Sequence, residues 1–205
     1  MQSYGLVSIG SHSGIWLQEE LNKYNLKKNI LVEPVPYNID QLEKNTKDFK
    51  DVIIERSAIS DKNEIASFFY LKKESIDKLN KHWATGIGSF DKSHLLSHRS
   101  KRFQITDDDI KKIKINYINF ESLKKKYSIY KIEKLMIDVE GAEFKILNSI
   151  NFGDIEIKEI FFEKKHFDGY MRQGKKFEEI KEKLKYHNYI LQDVDEENIK
   201  AYLKE

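Results

Sequence analysis

No cysteine occurs among the 205 residues, which excludes disulfides, thiolate nucleophiles and cysteine-ligated zinc or iron–sulfur clusters together. Any chemistry must use oxygen, nitrogen or a bound cofactor. Proline is nearly absent, Pro34 and Pro36 being the only two, and no Gly/Ser-rich linker or repeat interrupts the chain, so composition offers no place to divide it. No run approaches the roughly 20 apolar residues needed to span a bilayer, and the N-terminus lacks the basic-then-apolar order of a signal peptide. The expectation is a cytoplasmic protein with no membrane span. An excess of one charge is also missing: 36 Lys plus Arg against 34 Asp plus Glu leave +2, too little to hold a polyanion, and no nucleic-acid partner is expected. With 40% hydrophobic side chains, the length suits a single domain over residues 1–205.

What is present alternates short apolar runs with amphipathic stretches. Leu6-Val7-Ser8-Ile9, Ile30-Leu31-Val32, Val52-Ile53-Ile54, Leu135-Met136-Ile137 and Ile160-Phe161-Phe162 read as strands buried on both faces, the kind found in parallel sheets. Helices are expected over residues 15–24, 38–45 and 143–150, and around Phe177, Ile180 and Leu184. Strands alternating with helices imply an α/β fold, a doubly wound sheet. Tyr189-Ile190-Leu191 and Ala201-Tyr202-Leu203, separated by polar residues, predict a closing hairpin with an antiparallel edge strand. Residues 60–134 are the least regular, with candidate strands at 65–71 and 113–118 around an irregular insertion at about 76–102.

Four segments carry chemical signals. Gly10-Ser11-His12-Ser13-Gly14 follows the first strand and permits a tight turn against a ligand. Its glycines are four apart, which does not fit the G-x-G-x-x-G of nicotinamide-binding folds. Glu33, before Pro34 and Asn38, ends the second strand 19 residues beyond Gly14. Two oxygens of one carboxylate there can accept from both hydroxyls of a ribose. Arg56-Ser57-Ala58-Ile59-Ser60-Asp61 ends the third strand with small residues that leave room for a flat adenine, although an ordinary turn has the same composition. Ile137-Asp138-Val139-Glu140-Gly141-Ala142-Glu143 is the most specific, because three carboxylates at the mouth of a buried strand repel one another unless something uses them, and helix capping accounts for one.

Glu33-Pro34-x-Pro36-x-Asn38 with Leu42 and Asn45, Ser57-Ala58-Ile59-Ser60-Asp61, the weaker segment 118–123, and Ile137 to Glu143 together resemble the FkbM-type methyltransferases from about Val7 to His166. The resemblance implies a Rossmann-like seven-stranded sheet of the class I methyltransferase fold, S-adenosylmethionine as cofactor, and methyl transfer to a hydroxyl, often on a sugar or natural product. The acceptor it implies is a small polar molecule such as a sugar or sugar nucleotide. By this resemblance the cofactor meets Ser8, Gly10, Ser11, His12, Gly14, Glu33, Pro34, Asn38, Ser57, Ala58 and Asp138. The chain departs from the family where Ser8 stands for the usual Asp, His12 for Asn, Met136 for a Lys and Glu121 for Asp. Ser8 and His12 are the support for an alternative, a methyltransferase-like module that has lost activity and binds or regulates a partner. The retained Glu33 and Asp138 to Glu143 favour the enzyme.

A hydroxyl needs a proton acceptor, and Asp138 and His166 are the candidates at strand ends, with Glu140 and Glu163 in reserve. His82 and His187 read as surface residues. His94 and His98 lie four apart, but no acidic partner in sequence completes a zinc pattern, so no metal is predicted there. Asp138, Glu140 and Glu143 offer oxygen ligands for an optional Mg²⁺. The 76–102 segment is read either as an acceptor-side lid, with Gly86 and Gly88 for movement, or as an insertion packed on the sheet by Trp83, Phe90, Leu95 and Leu96. In the lid reading Trp83 and Phe90 offer flat surfaces for a sugar ring, and Trp83, Ser89, His94, His98 and Arg99 meet the acceptor. A homo-oligomer is left open.

Overall fold

The apolar runs that lack alternation form the centre of a seven-stranded sheet in the computed structural model, which describes residues 1–79, 82–100, 103–169 and 171–204, and of residues 82, 83, 99, 100 and 103 only the backbone. In chain order the strands are β1 (Gln2–Ile9), β2 (Lys28–Val32), β3 (Val52–Glu55), β4 (Ala58–Ser60), β5 (Glu64–Leu71), β6 (Gly88–Ser89), β7 (Arg99–Ser100), β8 (Phe103–Gln104), β9 (Ile110–Asn119), β10 (Ile129–Ile137), β11 (Glu156–Glu163), β12 (Tyr189–Asp193) and β13 (Asn198–Leu203). The helices are α1 (Gln18–Lys23), α2 (Pro36–Thr46), α3 (Lys73–Leu79), α4 (Lys92–Ser97), α5 (Phe120–Lys126), α6 (Glu143–Ser149) and α7 (Lys175–Tyr186). The large sheet has the order β12-β13-β11-β10-β1-β2-β3. Its members from β11 to β3 are parallel, and the expected C-terminal hairpin closes the edge with β13 antiparallel to β11.

Alternation along β1 sends side chains to opposite helical layers. Val7 and Ile9 enter a core with Leu123 of α5, Ile146 and Leu147 of α6, and Ile180 and Leu184 of α7. Leu6 enters another with Leu17, with Leu21 of α1 and with Leu42 of α2. Both faces are therefore covered, which is why these strands carry apolar residues at consecutive positions. α2 starts where Pro36 stands at its first turn, a place that needs no amide donor.

Residues read as irregular are more ordered than expected. β5 and β9 pair antiparallel from Glu64 with Tyr117 to Leu71 with Ile110, and a second sheet forms in the order β4-β9-β5-β6. The 76–102 segment contributes α4 and β6 and buries Ala84, Ile87 and Leu95 against Leu71, Ile105 and Ile110. No short-range pattern shows this, because the strand partners stand from 39 residues apart (110 − 71) to 53 apart (117 − 64).

Candidate active site

Strand register sets the site. Ile9 pairs with Ile137 and Val32, Ile137 with Phe162, and Val32 with Glu55. The next residue on each strand therefore falls in one row along the C-terminal edge, and that row contains Gly10, Glu33, Asp138 and Glu163. The chain leaves β1 towards β2 and β3 on one side and returns to β10 and β11 on the other, so the edge between β1 and β10 is the switch point where doubly wound folds bind ligands.

A cleft opens there, lined by Gly10, Glu33, Pro34, Ser57, Ala58 and Asp138 among polar or small groups, and by Val32, Val35, Ile59, Phe68, Phe90 and Val139 as apolar walls. Gly10, at φ +86°, brings the tips of β1 and β10 so close that a Cβ would lie 1.7 Å from the Asp138 carbonyl oxygen. Glu33 is 4% exposed. Its Oε2 accepts from the His12 amide (2.9 Å), and its Oε1 accepts from the Val35 amide (2.9 Å) and from Asn38 Nδ2 (3.3 Å). Burial raises the Glu33 carboxyl to about 7 despite these bonds. The turn after residue 82 crosses the mouth: His12 Nε2 meets Thr85 Oγ1 at 2.7 Å, and Asn38 Nδ2 donates to the Thr85 carbonyl (3.0 Å).

Beside this cleft lies a polar pocket lined by Ser89, Asp91, Ser93, His94, Ser97, Glu140, Gly141, His166, Phe167, Gly169 and Lys176. Carboxylate oxygens of Asp138, Glu140 and Glu163 lie within 4.8 Å of one another. Asp138 opens onto the cleft, but protein crowds its other sides, and this burial together with the Glu140 charge raises its carboxyl to about 6. Burial works against ionised Glu140 too, yet the imidazoles of His166 and His94, with Lys165, outweigh it and hold that carboxyl far below its usual range. Glu163, pressed by burial and then by its acidic neighbours, is pushed up to about 9 although Lys165 pairs with its Oε1 at 2.5 Å. His166 is 3% exposed; its Nδ1 accepts from the Met171 amide (3.1 Å), and its Nε2 stands 3.4 Å from Glu140 Oε2.

Several expected residues fall elsewhere. Ser8 and Ser11 are fully buried and outside the cleft lining; Ser8 lies on the same strand face as Leu6, and Ser11 Oγ donates to the Ser8 carbonyl (3.1 Å). Gly14 is needed for packing, since a Cβ there would meet Leu42 Cδ1 at 2.5 Å. Glu143 is buried and spent on its own loop, accepting from the Val139 and Gly141 amides, both at 2.9 Å, so it offers no oxygen to a cation. His94 does have an acidic neighbour, supplied by the fold: Glu140 Oε2 at 3.6 Å. His98 lies outside the pocket lining, its ring edge-on to His94, and its Nδ1 faces the His94 carbonyl (3.0 Å). The side chains of Trp83 and Arg99 lie outside the described residues. Phe90, offered as a sugar platform, lines the cofactor-side cleft and packs on Tyr117. Thr85, Lys165 and Met171 were missed, and nothing local in sequence marks them, because each reaches the site only through tertiary contacts.

The residues present fit an S-adenosyl nucleoside: apolar walls for a flat base, an acid at the second strand end, and small Ser57 and Ala58 that leave space beside them. Fibrillarin of Aeropyrum pernix, solved with natively bound S-adenosyl-L-methionine, aligns over 98% of this chain and 66% of its own at TM-score 0.50 and 8% identity. Fibrillarin in a complex with Nop5p aligns over 98% and 73%, at TM-score 0.50 and 9% identity. A precorrin-6y C5,15-methyltransferase of Geobacter metallireducens gives 98% and 81%, with TM-score 0.46 and 12% identity. No curated protein matches the sequence. At such identities the likeness concerns the fold, which is that of the class I S-adenosylmethionine-dependent methyltransferases. Residues 8–191 match the methyltransferase FkbM domain, and the chain belongs to that family, with S-adenosylmethionine as its cofactor.

Proposed function

We propose that this methyltransferase acts on a hydroxyl of a small polar acceptor, a sugar or sugar nucleotide in the first instance. The observation that carries the reading is the adjoining pair of cavities: an apolar-walled cleft at the β1–β10 tips, and a polar pocket edged by Ser89, Asp91, Ser93, His94 and Ser97, with the acids of the strand ends between them. Hydroxyl and amide donors and acceptors around a pocket match a polyol far better than an apolar substrate.

The cofactor supplies an electrophilic sulfonium methyl group. Displacement at that carbon is in-line, so the protein's share is orientation and exclusion of water, worth several kcal/mol, roughly 7–11 at the limit. We assign cofactor binding to Gly10, Glu33, Pro34, Ser57, Ala58 and Asp138, with His12 and Asn38 holding Glu33 in place. Three of the four lone-pair positions on the Glu33 carboxylate already accept bonds from the chain, so the ribose meets it at the one that is left rather than by the two-oxygen grip expected from sequence. The turn carrying Thr85 acts as the lid over this cleft.

Asp138 is assigned as the proton acceptor. It lines the cofactor cleft within 4.8 Å of Glu140, which lines the polar pocket, and a carboxyl raised to about 6 is still ionised at neutral pH while being a stronger base than an ordinary aspartate. His166 is a positioning residue: with the Met171 amide on Nδ1, its proton resides on Nε2, directed at Glu140. A screen of sugars and sugar nucleotides for S-adenosylhomocysteine release tests the reading. Turnover on a hydroxyl acceptor that falls at least a hundredfold in Asp138→Asn supports it, and transfer only to carbon, nitrogen or nucleic acid overturns it.

A further inference from the structure

We propose that Asp138, Glu140 and Glu163 bind a divalent cation between the cofactor cleft, which Asp138 lines, and the polar pocket, which Glu140 lines; only the ion's catalytic role rests on the hydroxyl-methylation reading. The three carboxylates come from the tip of β10, the turn after it and the tip of β11, and their oxygens lie within 4.8 Å of one another. Around Mg²⁺ or Mn²⁺, with ligands at about 2.1 Å, opposite oxygens are about 4.2 Å apart, and around Ca²⁺ at about 2.4 Å they are about 4.8 Å apart. The set closes on an ion with sub-ångström movement.

Three acids this near repel one another, and the relief visible among the described residues falls mainly on Glu140, which faces the His166 and His94 imidazoles. A shared proton would appear as a carboxyl–carboxylate hydrogen bond, yet Glu163 Oε2 is buried with no hydrogen-bond partner among the described residues. A cation from the chain is present but is directed away, since Lys165 pairs with the other oxygen of Glu163 and with Glu197. Glu163 is 5% exposed, and its unbonded Oε2 faces the cluster, 4.0 Å from the His166 Nε2 that also approaches Glu140. A buried carboxylate oxygen beside other carboxylates, with no hydrogen-bond partner of its own among the described residues, is a place an ion would fill. Glu163 thus stands where sequence spacing had offered Glu143.

A histidine completes the arrangement. His166, protonated on Nε2, is a donor to the ligating carboxylates, the kind of outer hydrogen bond that orients a metal's ligands. With its open positions towards the pocket, the ion holds the acceptor hydroxyl and lowers its pKa. One oxygen of Asp138 ligates and the other takes the proton as the O–H bond breaks; the O–C bond forms, the S–C bond breaks, and the sulfonium leaves as a neutral thioether.

Full-length protein freed of metals by chelation is titrated with Mn²⁺ by electron paramagnetic resonance, with Mg²⁺ and Ca²⁺ as competitors and without cofactor or acceptor. The expected result is one ion per chain with a Kd below about 1 mM, weakened about tenfold or more in Glu140→Gln and Glu163→Gln. Circular dichroism and a melting curve confirm that each variant is folded, and Asp138→Asn, judged by the same two measurements, replaces either one that is not. No stoichiometric binding by wild type up to about 5 mM, or unchanged affinity in the folded variants, overturns the site. Hydroxyl methylation at full rate in chelated protein removes the ion's role and leaves the functional reading; stoichiometric binding by a protein that methylates no hydroxyl does the reverse.

Discussion

The Met171 amide donates to Nδ1 of His166 at 3.1 Å, and the ring's other nitrogen stands 3.4 Å from Glu140. A neutral imidazole held in this way has its lone pair occupied and its proton facing a carboxylate, so it orders Glu140 and cannot take a proton from the acceptor. His166→Gln is therefore expected to reduce kcat by about tenfold and to preserve the pH dependence of the reaction, whereas Asp138→Asn reduces it by a hundredfold or more. Initial rates of S-adenosylhomocysteine formation between pH 5 and 9 check this. Loss of the acidic limb in the His166 variant would return the base to histidine.

Glu33 joins the loop after β1 to the start of α2 through three hydrogen bonds, and the same carboxylate faces the cofactor cleft. Glu33→Ala should cost about 2–4 kcal/mol of cofactor binding, a thirtyfold to several-hundredfold rise in Kd by calorimetry. Equal affinity in a variant shown to be folded would take Glu33 out of the cofactor site.

Gly10→Ala is expected to abolish cofactor binding. The added Cβ would sit 1.7 Å from a backbone oxygen of β10, at a φ of +86° that side chains rarely adopt. Backbone cannot rotate away as a side chain can, so the tips of β1 and β10 must part and the cleft must change shape. Calorimetry with S-adenosylmethionine, alongside a melting curve, reads both consequences.

Burial raises Glu33 to about 7 and Glu143 to about 8, against an unfolded value of 4.5. Between pH 4.5 and these values the folded chain binds more protons than the unfolded chain, so this part of the stability is present in acid and is lost as pH rises through about 7 to 8. Each group contributes a slope of about 1.4 kcal/mol per pH unit within its window. Cofactor-free protein should melt lower at pH 8 than at pH 5.5, and Glu143→Gln should flatten the decline. A variant with the wild-type slope would show that Glu143 is ionised throughout.

Thr85 is tied to His12 and to Asn38, and the cleft beneath it is lined by Gly86 and Gly88. If this turn closes on the cofactor, amide exchange over residues 84–90 slows when S-adenosylmethionine is added, while residues 94–97 in α4, held by buried Leu95, change little. Identical protection of residues 84–90 with and without the cofactor would make the turn a fixed part of the wall.

The central strands, the helices between them and the C-terminal hairpin were legible in sequence, because burial on both faces leaves consecutive apolar residues and a single buried face leaves a helical stripe. The strand-end residues Gly10, Glu33 and Asp138 were legible for the same reason: a parallel sheet aligns the tips of its strands, so the residues just beyond each apolar run must meet at one edge. Tertiary structure alone decided how those residues work. Nothing in the run Asp138 to Glu143 distinguishes the acid tied to its own loop, Glu143, from the one left facing its neighbours, Glu140, and nothing near Glu163 announces that it completes the cluster. The pairing of β5 with β9, which folds residues 84–98 over the cleft and carries His94 to Glu140, joins residues from 39 (110 − 71) to 53 (117 − 64) positions apart. Periodicity reports only which face of an element is buried; which charged atoms are left without a partner depends on distances between elements that no local pattern encodes.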